Sequence, residues 1–150
     1  MGVLMIREAT IEDIPAVLVL LEHFWRDIGP DVIAQFDGPL IADKIGRLIE
    51  SDSGLILLSE SGLSGAGFVA SEALWSSDIY AQELFWWVHP SERGGGLGKA
   101  MRVAGEEWGQ SLGAHSMVMI ALTGSSPNRL HSVYSKAGYK KTETHYMKAL

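Results

Sequence analysis

Apolar positions alternate between short runs and helical stripes along the whole chain. Val3 to Arg7 is a short apolar run that predicts a first strand. Thr10 stands before Ile11-Glu12-Asp13 as an N-cap followed by acids, and Ile14, Val17, Leu18, Leu21 and Trp25 fall on one helical face. A helix is predicted over about 11–27, with Pro15 early enough that its missing N–H costs little. Gly29-Pro30 and Asp37-Gly38-Pro39 are turn signals, and Ile41, Ile45, Leu48 and Ile49 predict a second helix over 40–50. Gly54 to Glu60 reads as a buried strand, Ser61-Gly62 as a turn and Ser64 to Leu74 as a second strand, which together make a hairpin. After a loop over 75–79, a central strand begins at Tyr80. It is stopped by His89-Pro90, since proline has no N–H for the ladder.

Three strands in series with short turns predict an antiparallel meander. Leu97, Met101, Ala104 and Trp108 predict a helix to about Leu112, closed by Gly113. Ser116 to Leu122 reads as another buried strand. Ser125-Ser126-Pro127-Asn128 reads as an N-cap with proline at the first helical position, opening a helix to about Ala137 that Gly138 ends. Tyr139 to Lys148 is expected as a final strand or hairpin. The order β-α-α-β-β-β-α-β-α-β suits an α+β domain, a mixed, mostly antiparallel sheet with helices on its faces. No repeat, linker or low-complexity run divides it, so a single domain over 1–150 is expected.

Composition narrows the chemistry. A length of 150 residues suits one core, and 47% hydrophobic with 20% charged residues are globular values. No apolar run approaches the roughly 20 residues of a membrane span, and Met1 to Arg7 is too short for a signal peptide. There is no cysteine, which excludes disulfides, a thiolate nucleophile and Cys-type zinc sites. That is compatible with a cytoplasmic location, which is the expectation. No metal is expected. The net charge of −6 argues against nucleic acid and favours a cationic partner such as an amine.

The chemistry concentrates between Gln82 and Lys99, Q-E-L-F-W-W-V-H-P-S-E-R-G-G-G-L-G-K. An apolar strand feeds a glycine-rich turn that opens a helix. First-turn N–H groups lack intrahelical partners, and the macrodipole is positive there. Glycines let a polyanion lie close on the backbone, so the stretch reads as a phosphate cradle. It is not a P-loop, because Arg93 stands where the first glycine belongs and Ala100 where the hydroxyl belongs. Nor is it a dinucleotide fingerprint, because Gly94-x-Gly96 is followed by Lys99 where the third glycine belongs. What fits is Arg-x-x-Gly-x-Gly, met by Arg93, Gly96 and Gly98 directly after Val88-His89-Pro90. This resembles the acyl-coenzyme A signature of the GNAT superfamily of N-acetyltransferases.

A second stretch carries the same resemblance. Asn128, Tyr134, Gly138 and Tyr139 match a pattern common in that family, with His131 in place of an alanine, and His145-Tyr146-Met147-Lys148 resembles its last strand. The resemblance implies a three-layer α/β/α sandwich with about six to seven strands flanked by four helices. It implies that acetyl-coenzyme A is bound by Trp87, Val88, Arg93, Gly94, Gly95, Gly96, Leu97, Gly98, Lys99 and Asn128. Backbone N–H groups from Arg93 to Lys99 would take the pyrophosphate, Arg93 adding a charge-assisted contact or bracing the loop. The N–H near Val88 would stabilise oxyanion charge, in a gap where the central strand splays from its parallel neighbour.

Tyr134 would donate a proton or hydrogen bond to the departing thiolate, unless it is only a core aromatic. Glu83 is a candidate base, since burial among apolar neighbours would raise its pKa, or else an outward-facing or ion-paired strand glutamate. His89 is a second candidate, with a structural role at the strand end as its alternative; Glu72 and Glu60 are weaker ones. His131 is assigned no role. The implied activity is transfer of an acetyl group to a primary amine by direct attack. The alternatives are a GNAT-fold module that holds acyl-coenzyme A without turnover, and an acyltransferase for longer chains. His23, Trp25 and Phe36 are candidates for the acceptor pocket, against Trp25 as core and His23 as surface. Trp75 or Tyr80, if exposed, marks a pocket wall or a dimer contact. By analogy alone a homodimer is admitted.

Overall fold

The computed structural model describes residues 6–29, 35–122 and 127–150. Among them the elements run β1 (Ile6–Glu8), α1 (Ile14–Ile28), α2 (Gly38–Glu50), β2 (Gly54–Ser59), β3 (Gly65–Glu72), β4 (Ile79–Trp87), α3 (Leu97–Ser111), β5 (Ser116–Val118) and α4 (Pro127–Lys136). Single 3-10 turns precede α1 at Ile11–Asp13 and follow β4 at Pro90–Glu92. The strands form one sheet in the order β1-β2-β3-β4-β5. The three strands of the expected meander, β2, β3 and β4, pair antiparallel, β1 pairs antiparallel with β2 as well, and β4 pairs parallel with β5. A parallel neighbour needs a crossover, and α3 provides it.

Both sheet faces are covered. On one face Val17, Leu20 and Ile45 pack on Ile56, Leu58, Phe85 and Trp87. On the other, Leu97 and Met101 pack on Leu55, Leu57, Ala66 and Phe68. That is the expected three-layer α/β/α arrangement with four helices, although the described sheet holds five strands where about six to seven were expected. The missing strand or hairpin over Tyr139 to Lys148 accounts for the shortfall, and β5 is present but shorter than expected. The run after Ser116 pairs only to Val118, and residues 119–122 leave the ladder. Tyr139 to Lys148 forms no strand and, apart from Tyr139, is exposed. Its stretch Lys140 to His145 contains no apolar residue, so nothing drives one of its faces onto the sheet. The residues before Ile6, Pro30 and the expected cap at Ser125-Ser126 lie outside the described residues.

In α1 the buried stripe is Ile14, Val17, Leu20, Leu21 and Phe24, so Leu20 and Phe24 take the places expected for Leu18 and Trp25. The helix is apolar on more than one side, and the sheet selects which stripe it receives. Trp25 is half-buried and packs instead on Phe36, ring centroids 5.7 Å apart. Among the described residues no helix is long and apolar enough to cross a membrane. None of them form a group of three or more metal-binding side chains.

One irregularity in the sheet positions everything that follows. Gly67 opposes Phe85, but the next residue, Phe68, opposes Glu83. Leu84 is therefore an extra residue in β4, a β-bulge, and it is exposed. A bulge bends its strand and changes which face the following side chains take. Glu83 lies opposite Phe68, whose ring is in the α3-face cluster, while Phe85 and Trp87 turn to the α1–α2 face.

Close helix–sheet packing gives a stability test. A Cβ on Gly105 of α3 would stand 2.5 Å from Cζ of Phe68, a fully buried ring. Gly105→Ala gains up to about 1 kcal/mol of helix propensity, but overpacking costs roughly 1–3 kcal/mol. We expect a net loss of about 1 kcal/mol in urea unfolding.

Candidate active site

The bulge at Leu84 falls just after β4 loses its parallel neighbour. Pairing runs Tyr80↔Ser116, Ala81↔Met117 and Gln82↔Val118, then stops. From Glu83 to Trp87, β4 has no strand partner on that side among the described residues. Ile120, beyond the end of β5, satisfies its backbone elsewhere. Its N–H donates to Oε2 of Glu83 at 2.8 Å, and its carbonyl accepts from the Tyr134 hydroxyl at 2.7 Å. Two side chains thus take the Ile120 backbone bonds where a ladder would have continued. They bring Glu83 of β4 and Tyr134 of α4 to the same place.

Glu83 is only 5% exposed, so it is not an outward-facing strand glutamate. Nor is it ion-paired to any described residue; it accepts the Ile120 N–H instead. Burial pushes its carboxyl up to about 7, the Ile120 bond offsetting part of the rise. Tyr134 is also buried, and its hydroxyl is raised by burial, by the Glu83 charge and by Tyr139, with Arg102 pulling the other way. Its ring lies near those of Trp86, 6.1 Å away, and Tyr139, 5.6 Å away. The Tyr139 hydroxyl donates to Glu106 at 2.7 Å, and Glu106 also pairs with buried Arg102. Burial and the Glu106 bond raise the Tyr139 hydroxyl as well.

The glycine loop lies at the end of the same strand. Gly94 and Gly96 have φ of 86° and 85°, a left-handed conformation that favours glycine. Nothing lies within 4 Å of where a Cβ would stand on Gly94 or Gly95. Gly96 caps α3 with no side-chain hydrogen bond to the first-turn N–H groups. Those donors, on an open glycine surface, fit a pyrophosphate. Arg93 braces the loop, its Nε donating to the Val88 carbonyl at 2.9 Å. The Trp86 indole N–H donates to the Gly98 carbonyl at 3.1 Å, which links the loop to the wall beside Tyr134.

The remaining candidates divide by orientation. Lys99 is exposed on the first turn of α3. Leu97 and Trp87 turn their side chains into opposite cores, so only their backbone is available to a ligand. The Trp87 indole N–H donates to Asp27 at 2.7 Å. Asn128 and His131 are exposed on α4, whereas Tyr134 on the same helix is buried. The His89 ring accepts the Ser91 N–H at 3.1 Å and meets Trp87 edge-on. His23, though exposed, stacks on Trp87 at 5.4 Å with the rings 1° from parallel. An open cavity of about 620 Å³ lies between α1 and α2, lined by Glu22, Trp25, Gln35, Phe36, Asp37, Gly38 and Pro39. Trp25 and Phe36 border it, and His23 does not. Trp75 is almost fully exposed, while Tyr80 is half-buried in the sheet. Ile120 carries no sign of its contacts in the sequence. Ile120 acts through its backbone, which leaves no signal in residue type.

The fold, together with a match over residues 20–139 to the acetyltransferase (GNAT) family, defines an acyltransferase. The chain belongs to that family, whose members normally use acetyl-coenzyme A. No curated protein matches it. Solved structures do. A GCN5-related N-acetyltransferase from Ralstonia eutropha JMP134 is 20% identical with a TM-score of 0.75, covering 99% of each chain. An aminoglycoside acetyltransferase, HMB0005, from an uncultured soil metagenomic sample is 18% identical with a TM-score of 0.77, again over 99% of each. A predicted acetyltransferase from Clostridium acetobutylicum, solved with acetyl-CoA, is 14% identical with a TM-score of 0.77, covering 98% of this chain and 96% of its own. At these identities the likeness is one of fold.

The raised carboxyl makes a prediction about stability. Glu83 is pushed from an ordinary 4.5 to about 7, so between those values the folded state holds a proton that the unfolded state has lost. Its contribution is full below pH 4.5 and is lost as pH rises through 7. Glu83→Gln keeps an acceptor for Ile120 and has no charge to bury. Relative to wild type, we expect it to gain roughly 2 kcal/mol between about pH 5 and about pH 8 in urea unfolding. An equal difference at both values would contradict the assignment.

Proposed function

We propose that the protein transfers an acetyl group from acetyl-coenzyme A to a primary amine by direct attack, with Glu83 as base and Tyr134 as acid. The observation that carries this is the convergence of Glu83 and Tyr134 on the backbone of Ile120, in the gap where β4 leaves β5. Acetyl-coenzyme A would supply the acetyl group as a thioester. The glycine loop from Arg93 to Lys99 would hold its pyrophosphate, with the Val88 N–H near the carbonyl and Asn128 beside the arm.

Glu83 takes a proton from the attacking ammonium. A carboxylate poised near neutral pH is suited to that, because enough is ionised at working pH and it remains basic enough to accept. Tyr134 leaves the Ile120 carbonyl and gives its proton to the departing sulfur, so a thiol is released; the second proton of the acylated nitrogen restores the Tyr134 hydroxyl through solvent, and Glu83 returns its proton to solvent. Direct attack is consistent with a chain that has no cysteine to carry the acyl group. The two roles support each other electrostatically. The Glu83 charge raises the Tyr134 hydroxyl, so once Glu83 is neutralised Tyr134 becomes the better acid. A module that only holds acyl-coenzyme A would have no use for a buried, poised carboxyl next to a tyrosine.

Calorimetric titration with acetyl-coenzyme A and coenzyme A, paired with a thiol-release assay over a panel of amines, tests this reading. Wild type should bind both, and Gly96→Glu, which puts a charged side chain at a left-handed position of the cradle, should bind neither. Tyr134→Phe should bind normally while its release rate falls by about 10²-fold. Absence of binding by wild type would sink the reading. An unchanged rate in Tyr134→Phe would remove the acid role.

A further inference from the structure

We propose that Glu92 is a positioning residue for the glycine loop, set by a clamp of three serines from the β2–β3 turn. This rests on the loop being the pyrophosphate cradle. The Glu92 carboxylate accepts hydrogen bonds from Ser59 at 3.2 Å, from Ser61 at 2.5 Å and from Ser64. Ser59 and Ser64 are buried, at 2% and 0% exposure.

The serines are themselves held. The Ser64 N–H donates to the Ser59 hydroxyl at 3.1 Å, the Leu63 N–H donates to the Ser61 hydroxyl at 3.1 Å, and the Ser59 and Ser61 oxygens lie 3.0 Å apart. Ser64 also reaches the other end of the 3-10 turn, accepting the His89 N–H at 2.9 Å. Residues 89 and 92 are therefore tied to one hairpin end. Arg93 then folds back on Val88, and the chain enters Gly94 already committed to its left-handed turn.

The clamp has two consequences for a polyanion. Three glycines in a row would otherwise sample many conformations, and ordering them would weaken binding. Anchoring the residue two before Gly94 limits that freedom in advance. Charge is the second consequence. A free carboxylate beside a pyrophosphate site would repel the ligand. Three hydroxyl donors turn the Glu92 carboxylate toward the hairpin. Burial pushes its carboxyl up, but the bonds from Ser61, Ser64 and Ser59 and the nearby His89 outweigh that and hold it below the usual range. It stays ionised and stays turned away.

Clamping by Glu92 predicts a split that a merely stabilising contact would not produce. Glu92→Ala should raise KM for acetyl-coenzyme A about tenfold, with kcat at saturation within about twofold. Glu92→Gln retains an acceptor and adds donors for the serine oxygens, so its KM should stay within about threefold of wild type. Ser61→Ala, at an exposed position, should raise KM about threefold and keeps the test decisive should the Glu92→Ala variant fail to fold. Amide exchange over residues 90–96 in ligand-free protein should be faster in Glu92→Ala than in wild type and near wild type in Glu92→Gln. Unchanged KM and exchange in Glu92→Ala would overturn the proposal, as would a fall in kcat at unchanged KM. If wild type binds no coenzyme A, the cradle reading fails; the exchange comparison still decides whether Glu92 orders the loop.

Discussion

The architecture of the site depends on how the backbone of one residue, Ile120, satisfies its hydrogen bonds. Past Val118 the parallel ladder ends, so the Ile120 N–H and carbonyl find partners other than a strand, the buried Glu83 and Tyr134. Glu83 takes the N–H and Tyr134 supplies the hydroxyl to the carbonyl. The arrangement ties three otherwise separate elements, β4, the strand end and α4, at the point where β4 and β5 stop pairing. The same bonds place a carboxyl and a phenol where an acyl group would enter between the strands. The bulge at Leu84 completes the arrangement, since it puts Glu83 opposite Phe68 while Phe85 and Trp87 stay in the opposite core.

The proposed binding and the proposed chemistry fall at opposite ends of this one strand segment. Glu83 stands where pairing to β5 stops. The glycine loop follows the point where pairing to β3 stops, at Trp87. Trp86 connects the two, its ring near Tyr134 and its N–H on Gly98. A ligand lying along the gap would touch both ends without the loop and the carboxyl touching each other. Hydrogen bonds from Ser59, Ser61 and Ser64 tie Glu92, just before the glycine loop, to the β2–β3 hairpin, whose Ser59 and Ser64 are buried. The acetyltransferase family assignment is compatible with the proposed site.

Much of this was legible in the sequence, for identifiable reasons. Helices α2 and α3 carry periodic stripes, and Gly113 and Gly138 end their helices, both at positive φ. The Arg93–Gly98 loop was legible because its chemistry demands residue types at fixed spacing. The apolar neighbours of Glu83 left it open between a buried and an outward-facing position, and the fold decides for burial. What was not legible depended on tertiary choice. The unbroken apolar run Leu84 to Val88 hides a bulge, because period-two alternation cannot be read where every position is apolar. In α1 two stripes competed and the sheet chose. The Glu92 clamp joins residues 28 to 33 positions apart, through serines that look like ordinary turn residues. The expected last strand failed because a family resemblance at its end, His145 to Lys148, outweighed the polar stretch before it.

The central claim is that burial in the splay, against the Ile120 N–H, poises Glu83 near neutral pH. A carbon-13 NMR titration of the glutamate carboxyls, with Glu83 identified by its loss in Glu83→Gln, measures that directly. The account predicts a midpoint at about 7. A midpoint at the ordinary 4.5 would show an open, solvated carboxylate and would contradict both the closed geometry at Ile120 and the role of Glu83 as base.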